Sequence, residues 1–233
     1  MKSIDVKDLN GAAAALKSTN SADRAAGLSF IALLGPEAKG QTREVVGSLF
    51  DPSADVRSWA QKALPKVDPN LAGPVMSLVQ NQDPAAQLKA VQQIAQMGQN
   101  AAPAVPALLV FLEKSKGAEH LAAATALGQI GAKDPAVAPV LANIAMKDPD
   151  PKARQAAIAA LPKLENPQGA IDAFAAMLKD TNPENRSTAV NALGAMAGTN
   201  KQAMSVLQKV AQSDPSPTVR AGATQAIDKT KKK

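Results

Sequence analysis

The chain has 233 residues, of which 26 are Lys or Arg, 20 are Asp or Glu and one is His, with no Cys and no Tyr. Without cysteine there is no disulfide, thiolate zinc site, iron–sulfur cluster or thiol nucleophile, and His120 alone supplies neither a multi-histidine metal centre nor a catalytic triad with a His to spare. Apolar residues make up 45% of the chain but aromatics only 2%, so alanine-lined, closely spaced helices are expected instead of one thick core built on large rings.

No run reaches the roughly 18 apolar residues of a membrane span. The start, Met1 to Val6, lacks the apolar stretch of a signal peptide, which leaves the cytoplasm as the default compartment. The net charge of +6 is a feature of the C-terminus. Lys229, Lys231, Lys232 and Lys233 fall in the last five residues, and without them 22 basic groups face 20 acidic ones. Residues 229–233 therefore read as a basic, solvated tail, and residues 1–228 as a single domain.

Taken in chain order, the sequence repeats itself. A weak unit anchored at Arg24 is followed by a clear one, Asp51-Pro-Ser-Ala-Asp-Val-Arg57. Two degenerate units, anchored at Gln87 and His120, come next. Three clear copies complete the chain: Asp148-Pro-Asp-Pro-Lys-Ala-Arg154, Asp180-Thr-Asn-Pro-Glu-Asn-Arg186 and Asp214-Pro-Ser-Pro-Thr-Val-Arg220. In every clear copy Asp stands six residues before Arg, Ala recurs three and six residues after it, and an aliphatic residue follows at seven. The anchors are spaced 33, 30, 33, 34, 32 and 34 residues apart, so seven units fill the chain.

Offsets −1, +3, +6, +7 and +10 from each anchor share one face of a helix. Four residues before the anchors stand Asn20, Ser53, Asp83, Lys116, Asp150, Asn182 and Ser216. All but Lys116 are favoured helix N-caps. Pro84, Pro151, Pro183 and Pro217 come next, at the first helical position, where a missing N–H costs nothing. Each anchor is thus predicted in the first turn or so of a helix. A second apolar segment precedes that helix, as at Val105–Leu112, Val137–Ile144, Ile171–Leu178 and Met204–Val210. Pro74, Pro106 and Pro139 sit where they would kink it or mark a late start. Gly35, Gly98, Gly131 and Gly198 are placed to end helices. Each unit is a helical hairpin that cannot bury both faces alone, so neighbours must stack.

The helix pair, the Asp with Arg six residues later, the A-x-x-A-L pattern and the proline of the first helix resemble HEAT repeats over essentially the whole chain. The resemblance implies an all-α, right-handed α-solenoid of about seven hairpins, with first helices convex and second helices concave. It also implies an Asp–Arg ladder between adjacent repeats and a scaffold or adaptor role. The residues' own chemistry agrees on the ladder being structural: Asp51, Asp148, Asp180 and Asp214 can offset Arg57, Arg154, Arg186 and Arg220 within or between repeats. At Asn81 and Gln87 only a neutral version is available, and Lys114 with His120 is no acid–base pair. That middle stretch is either tolerated drift or a bend for a partner.

Angular arithmetic assigns offsets +1, +5 and +8 to the side opposite the core. The candidate binding residues there are Ser58, Leu88, Leu121 and Gln155 at +1, and Lys62, Gln92, Thr125 and Asn191 at +5. This row is small, mostly neutral and able to hydrogen bond. It lacks the cation density and stacking rings of nucleic-acid sites, which favours a protein or peptide partner for a monomeric scaffold. Trp59, at +2, is expected to pack on the adjoining repeat. No catalytic set, metal or cofactor is read. The competing readings are HEAT-like enzymes or helpers: an alkylpurine DNA glycosylase, which would need a basic aromatic groove, or a phycobilin lyase. The di-iron hydroxylases of this fold require several His-Glu pairs that this chain lacks.

Overall fold

The computed structural model describes residues 7–231. Among these are fourteen α-helices, three 3-10 segments and no strand. The helices alternate as hairpins: α1 (Leu9–Ala15) with α2 (Ser21–Leu34), α3 (Thr42–Ser48) with α4 (Ala54–Val67), and α5 (Pro69–Gln80) with α6 (Pro84–Gln96). Then come α7 (Val105–Lys114) with α8 (Ala118–Ile130), α9 (Val137–Lys147) with α10 (Pro151–Ala160), α11 (Pro167–Met177) with α12 (Pro183–Ala197), and α13 (Lys201–Ser213) with α14 (Pro217–Lys231). These are the seven hairpins that the anchor spacing predicts. Met1–Val6 and, of the basic tail, Lys232 and Lys233 lie outside the described residues; Lys229 and Lys231 fall within α14.

Local chemistry starts the second helices where expected, with two corrections, and a third falls at a helix end. Asn20, Asp83, Asp150 and Asn182 cap α2, α6, α10 and α12, each accepting from the N–H two residues on. Ser53 makes no side-chain cap bond, and its own N–H is held by Asp51 Oδ1 at 2.9 Å. Helix α8 begins at Ala118, one residue later than its anchor predicts, because Gly117 adopts a left-handed φ of 59° and Glu119 reaches back to the Lys116 N–H at 3.0 Å. Gly35, Gly98 and Gly131 also have positive φ, but Gly198 does not: it stays helical at −65°. Pro106 and Pro139 lie in the first turns of α7 and α9, where no hydrogen bond is lost, whereas Pro74 sits inside α5 and leaves one backbone carbonyl without its helical donor.

The residues divide by their contacts into two units, Met1–Ala126 and Leu127–Lys233. In the first, α2 packs along α1 and α4, α4 along α3 and α5, α5 along α6, and both α3 and α5 meet α7. Leu28, Ile31, Leu64, Leu71, Ile94 and Leu108 are fully buried there. In the second, α9 packs along α10 and α11, α11 along α12, and α12, α13 and α14 along one another. Phe174 is the largest fully buried side chain among the described residues, and Leu141, Leu161 and Ile171 are fully buried as well. Alanines such as Ala60, Ala63, Ala157 and Ala189 fill most remaining inward places, so the helices approach closely.

The residue eight places after each anchor accounts for where second helices stack. A Cβ added to Gly128 would lie 2.8 Å from Ala160 Cβ, and one added to Gly194 would lie 2.9 Å from Ala226 Cβ. Ala32, at the same offset, is buried, and α2 packs along α4. Where the offset holds Pro65 or Pro162, α4 approaches α6, and α10 approaches α12, less closely than α2 approaches α4. A pyrrolidine ring on that face is bulkier than a hydrogen or methyl and denies the next helix the same approach. At Ala32, Gly128 and Gly194 the offset +8 therefore faces the next second helix and not the open side, whereas Pro65 and Pro162 at the same offset are exposed.

Candidate functional site

Each anchor side chain first closes its own hairpin turn. Arg57 Nη1 donates to the carbonyls of Asp51 and Pro52 at 2.7 and 2.8 Å, and Arg154 Nη1 to those of Asp148 and Pro149 at 2.7 and 3.2 Å. Arg24, Arg186 and Arg220 repeat the pattern. Gln87 Nε2 reaches the carbonyls of Asn81 and Leu78, and His120 Nε2 lies 3.0 Å from that of Leu112. Gln87 thus keeps a neutral version of the clamp, while His120 meets a carbonyl within α7.

The acid six residues earlier has two tasks. Its Oδ1 accepts from the N-cap N–H, as Asp148 does from Asp150, Asp180 from Asn182 and Asp214 from Ser216. Its second task is to pair with the preceding repeat. Arg24 grips Asp51 bidentately at 2.7 and 2.8 Å, and Arg186 grips Asp214 at 3.0 and 3.1 Å. Both rungs join second helices that pack together. Asp180, which would face Arg154 across the looser α10 and α12, instead accepts from Asn185 Nδ2 at 3.0 Å. The hydrogen bond from Arg24 holds the Asp51 carboxyl below its ordinary pKa, and that from Arg186 does the same for Asp214, in each case against desolvation. Asp180 is lowered chiefly by the Asn182 N–H and then by the Asn185 amide.

On the open side of the second helices, Ser58, Lys62, Gln92, Thr125, Gln155 and Asn191 are exposed, and Leu88 and Leu121 are half-buried. Ser58 and Lys62 on α4 and Leu88 and Gln92 on α6 stand on helices that approach less closely than α2 and α4 do, and so do Gln155 on α10 and Asn191 on α12. The Thr125 hydroxyl donates to the Leu121 carbonyl at 2.8 Å. Asn191 does join a groove of about 720 Å³ between α12 and α14, floored by Gly194, Gly198 and Gly222 and edged by Gln225 and Lys229.

With +8 turned to the neighbouring helix, the open face re-centres on offsets +5 and +9. That brings in two residues the angular reading left out, Leu33 and Lys66, both exposed. Trp59 is half-buried, and Lys62 Nζ stands over its ring, 4.8 Å from the centroid. Among the described residues no group of three or more His, Cys, Asp or Glu is placed to hold a metal ion, and no helix is long and apolar enough to cross a membrane.

The family described as HEAT repeats matches residues 74–161 and 138–228. The chain belongs to the HEAT-repeat family. Its clamp, rungs and N-caps are therefore the working parts of HEAT hairpins, and the Gln87 and His120 units are HEAT repeats with substituted anchors. No curated protein matches this sequence. Similar solved structures include the complex of CpcE and CpcF of phycocyanin lyase from Nostoc sp. PCC7120, at 22% identity, covering 68% of this chain and 98% of that one, with a TM-score of 0.45. A HEAT-like repeats protein from the archaeon Thermococcus onnurineus NA1 is 13% identical over 98% of both chains, with a TM-score of 0.35. A designed armadillo repeat protein in complex with the peptide (KR)4 is 18% identical, covering 96% of this chain and 99% of that one, with a TM-score of 0.37.

Proposed function

We propose that this HEAT-repeat protein is a non-catalytic scaffold that holds an extended segment of another protein along the open faces of its second helices. Residues 1–228 act in this reading as one repeat domain, and the protein works as a monomer. The observation that carries it is the row five residues after each anchor. Lys62, Gln92, Thr125, Ala159, Asn191 and Gln225 are exposed and Ser29 half-exposed, so the second helices of each unit carry open small or hydrogen-bonding side chains five residues after their anchors. A polypeptide offers donors and acceptors along its length that such side chains can meet.

The test is a peptide array probed with the intact chain, followed by hydrogen exchange of the best complex. Protection is expected in α4, α6, α12 and α14 and not in α3, α5, α11 and α13. Protection confined to the first helices, or no peptide bound together with a measured turnover, would overturn the reading.

A further inference from the structure

We propose that the open face of α2 and α4 takes an acidic polypeptide segment carrying an apolar side chain, which seats its carboxylates on Lys62 and Lys66 and its apolar residue on Leu33. This deepens the scaffold reading and rests on it.

Leu33 is 79% exposed, the one large hydrophobic residue so open among the described residues. Single surface leucines are ordinary; the surroundings distinguish this one. Leu33 and Lys66 each stand nine residues after their anchor, on helices that pack directly together. They are therefore equivalent places on neighbouring helices, whose axes lie about 8–10 Å apart. On α4, Trp59, Lys62 and Lys66 follow one another at i, i+3 and i+7, along a single stripe. The Lys62 ammonium is already held over the indole, 4.8 Å from its centroid. A cation positioned by its own ring loses less freedom when a carboxylate arrives.

Charge selects the partner. The exposed and half-exposed positions of α2 on this side, Ala22, Ala25, Ala26 and Ser29, are neutral. On α4 the acid of the exposed stripe is Asp55, in the first turn. It stands seven residues before Lys62, about 10 Å along the helix. The C-terminal half of the face is thus cationic with an apolar flank, complementary to an acidic segment with a hydrophobic anchor. A nucleic acid would want free rings for stacking and many cations, and here the single indole is covered by its own lysine.

The experiment uses the intact chain and short fluorescein-labelled peptides of Glu-Glu-Leu, Ser-Ser-Leu and Lys-Lys-Leu repeats, with labelled oligo-dT as a further arm. Anisotropy gives affinity, and the emission of Trp59, the sole tryptophan, reports from the face itself. The Glu-Glu-Leu peptide is expected to bind, to perturb Trp59 and to weaken with added salt. Its affinity should fall about tenfold or more in Lys62→Glu/Lys66→Glu, through lost pairing and new repulsion, and in Leu33→Ser. It should be unchanged in Lys201→Glu on α13. All four positions are exposed, and unchanged circular dichroism will show that the variants fold. Equal binding of the Ser-Ser-Leu peptide, or indifference to the charge reversal, would overturn this proposal and leave the scaffold reading standing. Tighter binding of oligo-dT would overturn it in favour of nucleic acid. Failure of every peptide here and on the array would remove both.

Discussion

The close approach of α12 and α14 makes a prediction whose sign runs against helix propensity. Gly194 lies in the interior of α12, where replacing glycine by alanine ordinarily stabilises by about 1 kcal/mol. Here the new Cβ would stand 2.9 Å from Ala226 Cβ, well inside the roughly 3.5–4.0 Å of a comfortable carbon contact. The helices must part or tilt, at the usual overpacking cost of about 1–3 kcal/mol. Net, Gly194→Ala is expected to destabilise by about 1 kcal/mol, the difference between these two effects. Parting the helices also lengthens the Arg186–Asp214 rung, now 3.0 and 3.1 Å, so the Asp214 pKa should rise toward its ordinary value. Urea unfolding gives the first quantity, and carbon-detected titration of the carboxylates gives the second. Gly47→Ala on α3 is the control, because nothing lies within 4 Å of its added Cβ and no proline comes directly after it, and it should stabilise by up to about 1 kcal/mol. Gly194→Ala/Ala226→Gly exchanges the two residues, cancels the propensity change and should return close to the original stability. If Gly194→Ala stabilised as Gly47→Ala does, with Asp214 unmoved, the claim that offset +8 sets the helix spacing would be refuted.

The depressed pKa values of Asp51, Asp180 and Asp214 have a defined consequence for acid stability. Their contribution is complete above the unfolded-chain value near about 3.9 and is lost as pH falls through the lower folded values. Thermal midpoints should hold level from neutral pH to about 4 on this account and then drop, and the drop should be shallower in Asp214→Asn. A fall already under way between about pH 7 and 5 would place the cause elsewhere. Leu161→Ala, at a fully buried site, should cost about 2–5 kcal/mol. Arg154→Ala loses two bonds to turn carbonyls and should cost less than about 1.5 kcal/mol; equal losses in urea titrations would show that the clamp outweighs the core. Phe174→Ala removes the largest buried side chain and should cost about 3–5 kcal/mol, read in the same titrations.

The hairpins are legible in the sequence because their determinants are local. An N-cap such as Asp150, a proline after it and apolar residues at offsets +3, +6 and +7 act within one helix, so the spacing of anchors locates α2, α4, α6, α10, α12 and α14 directly. Helix α8 shifts by one residue because Gly117, a left-handed residue without an anchor partner, sets its start. The Asp–Arg spacing is visible, but its meaning is less so. Six residues is the reach from Arg Nη1 to a backbone carbonyl in its own turn, whereas the ion pair needs the next repeat at the right distance. Arg186 reaches Asp214 because Gly194 lets α14 come close, and no feature of the Asp-x-x-x-x-x-Arg motif records that.

The open face is harder to see for a related reason. A helical wheel weighs each residue against its own helix, and by that measure +8 points away from the core. In a stack, however, the next second helix comes to that side and covers it, so Gly128 and Gly194 serve packing and the open sector turns toward +9. Leu33 and Lys66 then pass from the margin of the wheel to the face that is free to meet a partner. The pattern that betrays this is a column across repeats, in which Ala32, Gly128 and Gly194 are small where helices close, and Pro65 and Pro162 stand where they approach less closely. Comparing one offset down all the repeats, instead of several offsets along one helix, finds the packing side first and the binding side by subtraction.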